Sequence, residues 1–251
     1  TEKMYLNYLG KLGQAIIKDT PLEELAEQAG RDFAAIPVAD EPKPLVGLVG
    51  EIYLRNNRFS NNHLITKLEA LDLEVRLATF GEWPMYTSAE YRRDSFLARN
   101  LRGVIAGQLQ IVVQHRQEHK LAKAFQRSIE LPDERPVEQV LSAAVQYLPR
   151  DCKGEALLSI GKAIEMSEAG AAGIVNAMPF NCMPGTVVTG LSKRVAEDLG
   201  GIPWLNISYE GLRDSGEDTR LEAYAEQVRS FARLSPGSRE SSPRPQKKLK
   251  P

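Results

Sequence analysis

Four short strand-like segments, three of them apolar and each leading into a loop or a helical stripe, constrain this chain more than any other feature. Leu45-Val46-Gly47-Leu48-Val49-Gly50 carries no polar side chain, the pattern of a strand buried on both faces. Residues 74–79, 173–177 and 202–207 read as three more strands. Leu64, Ile65, Leu68 and Leu71 form a helical stripe between the first two. Before the third strand, a helix over Glu155–Glu168 turns Leu157, Ile160, Ala163 and Ile164 inward, and helices are predicted over 186–199 and 217–232. Strands alternating with helices predict an α/β fold with an open parallel, Rossmann-like sheet. Right-handed crossovers place the third strand beside the first, giving the order 2-1-3-4.

The remainder organises around that sheet. Residues 1–39 read as helix, with Leu6, Leu9, Leu12 and Ile16 and then Leu22, Leu25, Ala29 and Phe33 at helical spacing. Pro21 restarts the second stretch, since proline is tolerated in a first turn. Pro42 and Pro44 exclude helix and mark a linker. An α/β domain is expected over 40–234, interrupted by a helical insertion over 88–148. The tail 235–251 has Arg239, Arg244, Lys247, Lys248 and Lys250 against Glu240 alone, too polar to bury a core and expected to be disordered. It lacks aromatic stacking residues, so no nucleic-acid partner is expected. No run approaches the roughly 20 apolar residues of a membrane helix. Two cysteines in 251 residues do not make a disulfide framework, and the cytoplasm is the expected compartment. The chain begins without methionine, so a longer parent is expected, with 1–39 as the end of an upstream domain.

In an open parallel sheet the ligand crevice lies beyond the carboxyl ends of the strands, where the order reverses. Here that point is flanked by residues 51–62 and 179–185. The second segment, Pro179-Phe180-Asn181-Cys182-Met183-Pro184-Gly185, holds a cysteine between two prolines and a glycine. Gly185 is expected to permit a sharp turn, and Thr186 to cap the next helix. Cys182 then sits near a helix N-terminus, whose partial positive charge favours thiolate. Nucleophile, redox centre, metal ligand and buried turn-filler all remain open for it. From the first segment, Glu51, Asn56 and Asn57 are candidates to line the crevice, with Pro179, Phe180, Asn181, Gly185 and Thr186 opposite. One or both of Asn61 and Asn62 are expected to cap the following helix.

Other motifs carry less. His115-Arg116-Gln117-Glu118-His119 has the H-x-x-E-H spacing of a zinc protease. It falls on the polar side of a helix whose apolar stripe is Val104, Leu109, Val112, Val113 and Leu121, and it has no third ligand. Cys152 has no neighbouring cysteine with which to build a zinc ribbon or ferredoxin site. Neither a G-x-x-x-x-G-K-[ST] loop nor a G-x-S-x-G elbow occurs. A cysteine hydrolase needs a basic partner for Cys182, and His63 is the histidine the topology brings nearest.

Several segments together resemble a known family. They are Val46 to Tyr53 with the Asn-rich loop and Glu82-Trp83, Gly154 to Lys162, Met178 to Thr186, and Asp218 to Ala223. They are similar to the C-terminal region of acyl-CoA dehydratase activase-related proteins, akin to the iron–sulfur subunits of 2-hydroxyacyl-CoA dehydratases. The resemblance implies a cysteine-ligated 4Fe-4S cluster in a cleft between Rossmann-like domains, supplied with single electrons by an ATP-driven module. Cys182 is the matching ligand, and the remaining ligands are expected upstream. The implied partners are upstream domains of the parent, ATPase modules included, and an acyl-CoA; no membrane is implied. No stable cluster is expected on this chain alone. The alternative is a non-catalytic CoA- or partner-binding module using the same crevice.

Overall fold

A computed structural model describes residues 1–37, 41–129, 134–211 and 215–234. The basic tail lies outside them. The chain divides into two compact units, one built from Thr1–Glu41 with Pro84–Glu134, the other from Pro42–Trp83 with the described residues after Arg135.

The second unit contains the sheet. Its strands are β1 (Leu45–Gly50), β2 (Glu74–Leu77), β3 (Gly173–Pro179) and β4 (Trp204–Tyr209), all parallel in the order β2-β1-β3-β4. This is the expected architecture. Strand ends differ by a residue or two: β3 runs on to Pro179, paired with Tyr209. Alternate residues of each strand face opposite layers. Val46, Leu48, Val175 and Ala177 pack toward α4 (Leu64–Ala70) and α10 (Glu217–Leu234), against Leu64, Leu68, Leu221 and Val228. Val49 and Ile174 pack on the other face, with Ala163 and Met166 of α8 (Glu155–Glu168) and Ala196 of α9 (Met183–Asp198).

The helix α8 departs from its expected one-sided burial. Every residue from Ala156 to Met166 is buried, because β1, β3, α9 and α7 (Val137–Ala144) all pack on it. Gly161 lets α7 approach closely: a Cβ there would lie 2.8 Å from the Val140 carbonyl carbon. A helix buried on all sides must find partners for its charges. Lys162 does so with Glu82 at 2.9 Å and Glu165 at 3.0 Å.

The first unit is helical: α1 (Glu2–Ile17), α2 (Glu23–Ala34), most of α5 (Glu82–Leu97) and α6 (Leu101–Gln126). The expected insertion over 88–148 is therefore shared out, with 84–129 joining the N-terminal helices and α7 packing on α8. Phe33 of α2 stacks obliquely between Tyr8 and Phe125, with centroids 6.0 and 6.2 Å away. The expected stripe of α2 is buried or half-buried, but those of α1 and α6 do not become core. Leu6, Leu9, Leu12 and Ile16 are exposed, as are Leu109 and Val113 of α6, while Tyr8 is the buried residue of α1.

Candidate functional site

The helices of a parallel sheet run back against the strands, so their N-termini collect at the carboxyl edge. Here three of them meet beside the ends of β1 and β3. The backbone of Glu51 donates to the Ala177 carbonyl at 2.9 Å, which ties the segment after β1 to β3. Residues Ile52–Asn56 then form a short helix, α3, within the segment 51–62 that was expected to be loop. Glu51 is its N-cap, accepting from the backbone N–H groups of Tyr53 at 3.1 Å and Leu54 at 2.7 Å. The remaining first-turn donor, Ile52 N–H, points to the carboxylate of Glu155 at the start of α8, 3.2 Å away. Burial raises the Glu155 pKa, and the Glu51 charge adds to this against the Ile52 N–H and Arg55.

The turn after β3 is tighter than expected. Phe180 N–H bonds the Tyr209 carbonyl at 2.8 Å, and Cys182 N–H bonds that of Pro179 at 3.1 Å. Asn181 takes a left-handed conformation, φ 62°, which asparagine tolerates better than most residues. Cys182 is itself the N-cap of α9. Thr186, the expected cap, lies inside the helix and returns its hydroxyl to the Cys182 carbonyl at 2.9 Å. The reason is Pro184: lacking an N–H, it belongs in a first turn, so the helix starts before it. Gly185 does not make the turn either. It permits close packing, since a Cβ there would lie 2.8 Å from the Met178 Cβ and nearer still to its sulfur.

Cys182 is half-buried, and its thiol pKa is raised, contrary to the expectation from its helix. Burial is the first cause; the Glu155 and Glu51 charges act in the same sense, and the Gly185 N–H opposes them. The first-turn N–H of the helix is outweighed by burial, with two carboxylates from other elements adding to it. Cys182 is therefore a protonated thiol at neutral pH. A cysteine hydrolase needs a base there, and the charged groups acting on this thiol are acids. His63 instead occupies the left-handed N-cap position of α4.

The asparagines serve the backbone. Asn56 donates to the Ile52 carbonyl at 2.7 Å, and Asn57 bonds the Tyr53 hydroxyl at 2.8 Å and Ser60 N–H at 3.0 Å. Asn61 accepts from Leu64 N–H at 3.3 Å, but the N-cap position of α4 belongs to His63, so neither Asn61 nor Asn62 is the expected cap. Asn62 instead donates to Glu217 at 2.6 Å. That carboxylate, at the start of α10, also receives Lys67 at 3.0 Å and the Tyr209 hydroxyl at 2.9 Å. Sequence reasoning passed over Glu155 and Glu217 as site residues. Their signal was available: each opens a helix that follows a loop at the carboxyl edge.

Among the described residues, no cluster of three or more His, Cys, Asp or Glu is arranged to hold a metal ion. His115 and His119 stack 6.1 Å apart on α6, with no third ligand among the described residues. Cys152 is exposed at the end of a 3-10 turn, Arg150–Cys152. Among the described residues no helix is long and apolar enough to cross a membrane. Comparison with protein-family models, curated proteins and solved structures finds no match for the chain.

A chemical test follows from the electrostatics. At neutral pH Cys182 should alkylate more slowly than exposed Cys152, and its rate should climb only as pH passes above the ordinary thiol value of about 8.5. Glu155→Gln keeps an acceptor for Ile52 N–H and removes one negative charge, so the Cys182 rate profile should move to lower pH. Residue-resolved iodoacetamide kinetics measure this. Cys182 labelling ahead of Cys152 at pH 7 would contradict the assignment.

Proposed function

We propose that this chain is the C-terminal domain of an acyl-CoA dehydratase activase-like protein, supplying one face and one cysteine ligand, Cys182, of a low-potential iron–sulfur electron-transfer site. The observation that carries it is the placement of Cys182: half-buried, at the N-cap of α9, on the carboxyl edge where β1 and β3 diverge from sequential order. The donor set fits a 4Fe-4S cluster as one ligand of a shared site and no more, because such a cluster takes about four ligands, mostly thiolates. When bound, that cluster would supply single-electron transfer at low potential.

This chain's own residues do the rest. The Gly185 N–H acts on the Cys182 thiol, and Pro184 and the buried Gly185 hold the first turn of α9 against β3. Burial, helped by Glu155 and Glu51, favours the protonated thiol in the chain without a bound metal. Upstream domains, including ATPase modules, would provide the other ligands and the electrons, in a cytoplasmic setting. A second reading, a CoA- or partner-binding module without cluster chemistry, is favoured by the exposed Tyr53, Phe59, Phe80 and Phe180 in segments that follow β1, β2 and β3.

Anaerobic reconstitution with iron and sulfide, followed by desalting and absorption spectroscopy, tests the proposal. The chain alone should stay colourless, and a longer parent should keep a sulfur-to-iron charge-transfer band that Cys182→Ala removes. A parent whose band survives Cys182→Ala would eliminate Cys182 as a ligand. A colourless parent would favour the binding module.

A further inference from the structure

The N-terminal half of α6 presents a face with no partner among the described residues. On one side, Gly103 and Gly107 let α5 come close: a Cβ at Gly103 would lie 2.8 Å from Ser95 Cβ, and one at Gly107 2.9 Å from Arg92 Cβ. The opposite side carries Leu101, Ile105, Leu109 and Val113, which are 75%, 61%, 59% and 51% exposed. Their i, i+4 spacing makes one continuous ridge, the element that packs into the grooves of another helix. The twelve residues from Gly103 to Gln114 carry no charge. Solvated helix faces are charged, and interface cores are depleted of charge.

We infer that this ridge is a two-fold interface between two copies of the chain, packed antiparallel and centred on Gly107. The ridge reads alike in both directions about that residue: Leu101 meets Val113 of the second copy, and Ile105 meets Leu109. A two-fold axis requires this self-complementarity. Charge selects the direction. Antiparallel packing sets Arg102 opposite uncharged Val112, whereas a parallel pair would stack Arg102 on Arg102 and Arg116 on Arg116. The ridge side chains expose about 450 Å² of apolar surface per copy, and the flanking Val104, Ala106, Gln110 and Val112 bring this toward the roughly 800 Å² per partner of a stable interface. The exposed stripe of α1 has a shorter charge-free run, the seven residues from Met4 to Gly10 between Lys3 and Lys11.

Sedimentation of the complete chain should give a dimer. Ile105→Glu and Leu109→Glu should each weaken it at least about a hundredfold, because symmetry counts every substitution twice. Both positions are exposed, so circular dichroism should remain that of the parent. Leu9→Glu on α1 should leave the dimer intact. In a Cys152→Ser background, Ala106→Cys should cross-link on oxidation. Arg116→Cys should not, since nine residues from the axis separate the pair by about 27 Å. A monomer at high concentration, a dimer insensitive to Ile105→Glu and Leu109→Glu, or one dissolved by Leu9→Glu would overturn the inference. So would protection of α6 from hydrogen exchange seen only within a longer parent, which would make its partner another part of that protein.

Discussion

Replacing Gly50 with alanine should cost at least about 3 kcal/mol, or abolish soluble expression, although it adds a single methyl group. Gly50 ends β1 at φ 116°, a conformation that side chains disfavour. A Cβ there would lie 2.7 Å from the Ala177 nitrogen and 2.8 Å from its carbonyl carbon, with the oxygen nearer still. Those atoms are backbone of β3, so no side chain can swing away to make room. Relief requires β1 and β3 to separate where Glu51 N–H bonds the Ala177 carbonyl. Gly190→Ala is the matched control. That residue lies inside α9, and the added methyl group would have nothing within 4 Å of it. Alanine is favoured over glycine in a helix by up to about 1 kcal/mol. Urea unfolding of the two variants should therefore move in opposite directions. A Gly50→Ala protein as stable as the parent would mean that the strands do not approach as described.

The same pair of strands shows what the sequence could and could not reveal. Runs such as Leu45–Gly50 are recognisable because burial on both faces removes polar residues altogether, and handedness then leaves little choice of order. Cys182 was legible as a helix-start residue because Pro184 restricts where α9 can begin. Its protonation was not, because its burial, and the Glu155 and Glu51 charges that add to it, come from elements distant in sequence. Helical periodicity misled in two ways. On α8 it marks one inward face, whereas packing on all sides also buries Lys162 and Glu165. On α1 and α6 it marks stripes that a core should cover, yet Leu9 and Leu109 are exposed. Periodicity reports that a face is apolar; it does not name what covers that face.

Lys162→Met should destabilise the chain by about 3–5 kcal/mol, the usual cost of leaving a buried charge uncompensated. Four charged side chains meet beneath the carboxyl edge, each at most 8% exposed: Arg55, Glu82, Lys162 and Glu165. Lys162 stands 2.9 Å from Glu82 and 3.0 Å from Glu165, and Arg55 lies 3.6 Å from Glu82. Arg55 also donates to the Gly50 carbonyl at 2.9 Å and the Thr79 carbonyl at 3.1 Å. Two cations balance two anions, so the group is neutral as a whole and loses that balance when one member goes. Methionine matches the lysine stem in volume, which separates the charge effect from a cavity. Adding Glu165→Leu removes the anion that Lys162 alone serves in this set and leaves Arg55 with Glu82. The double variant should therefore be more stable than Lys162→Met, a coupling that a double-mutant cycle reads directly. Arg55 connects this group to the site, since its charge acts on Glu155, which in turn raises the Cys182 pKa. Loss of Lys162 should accordingly perturb the Cys182 alkylation profile even where the chain stays folded. Additive single and double effects, or a Lys162→Met loss below about 1 kcal/mol, would show that water reaches these charges and that they do not act as one buried group.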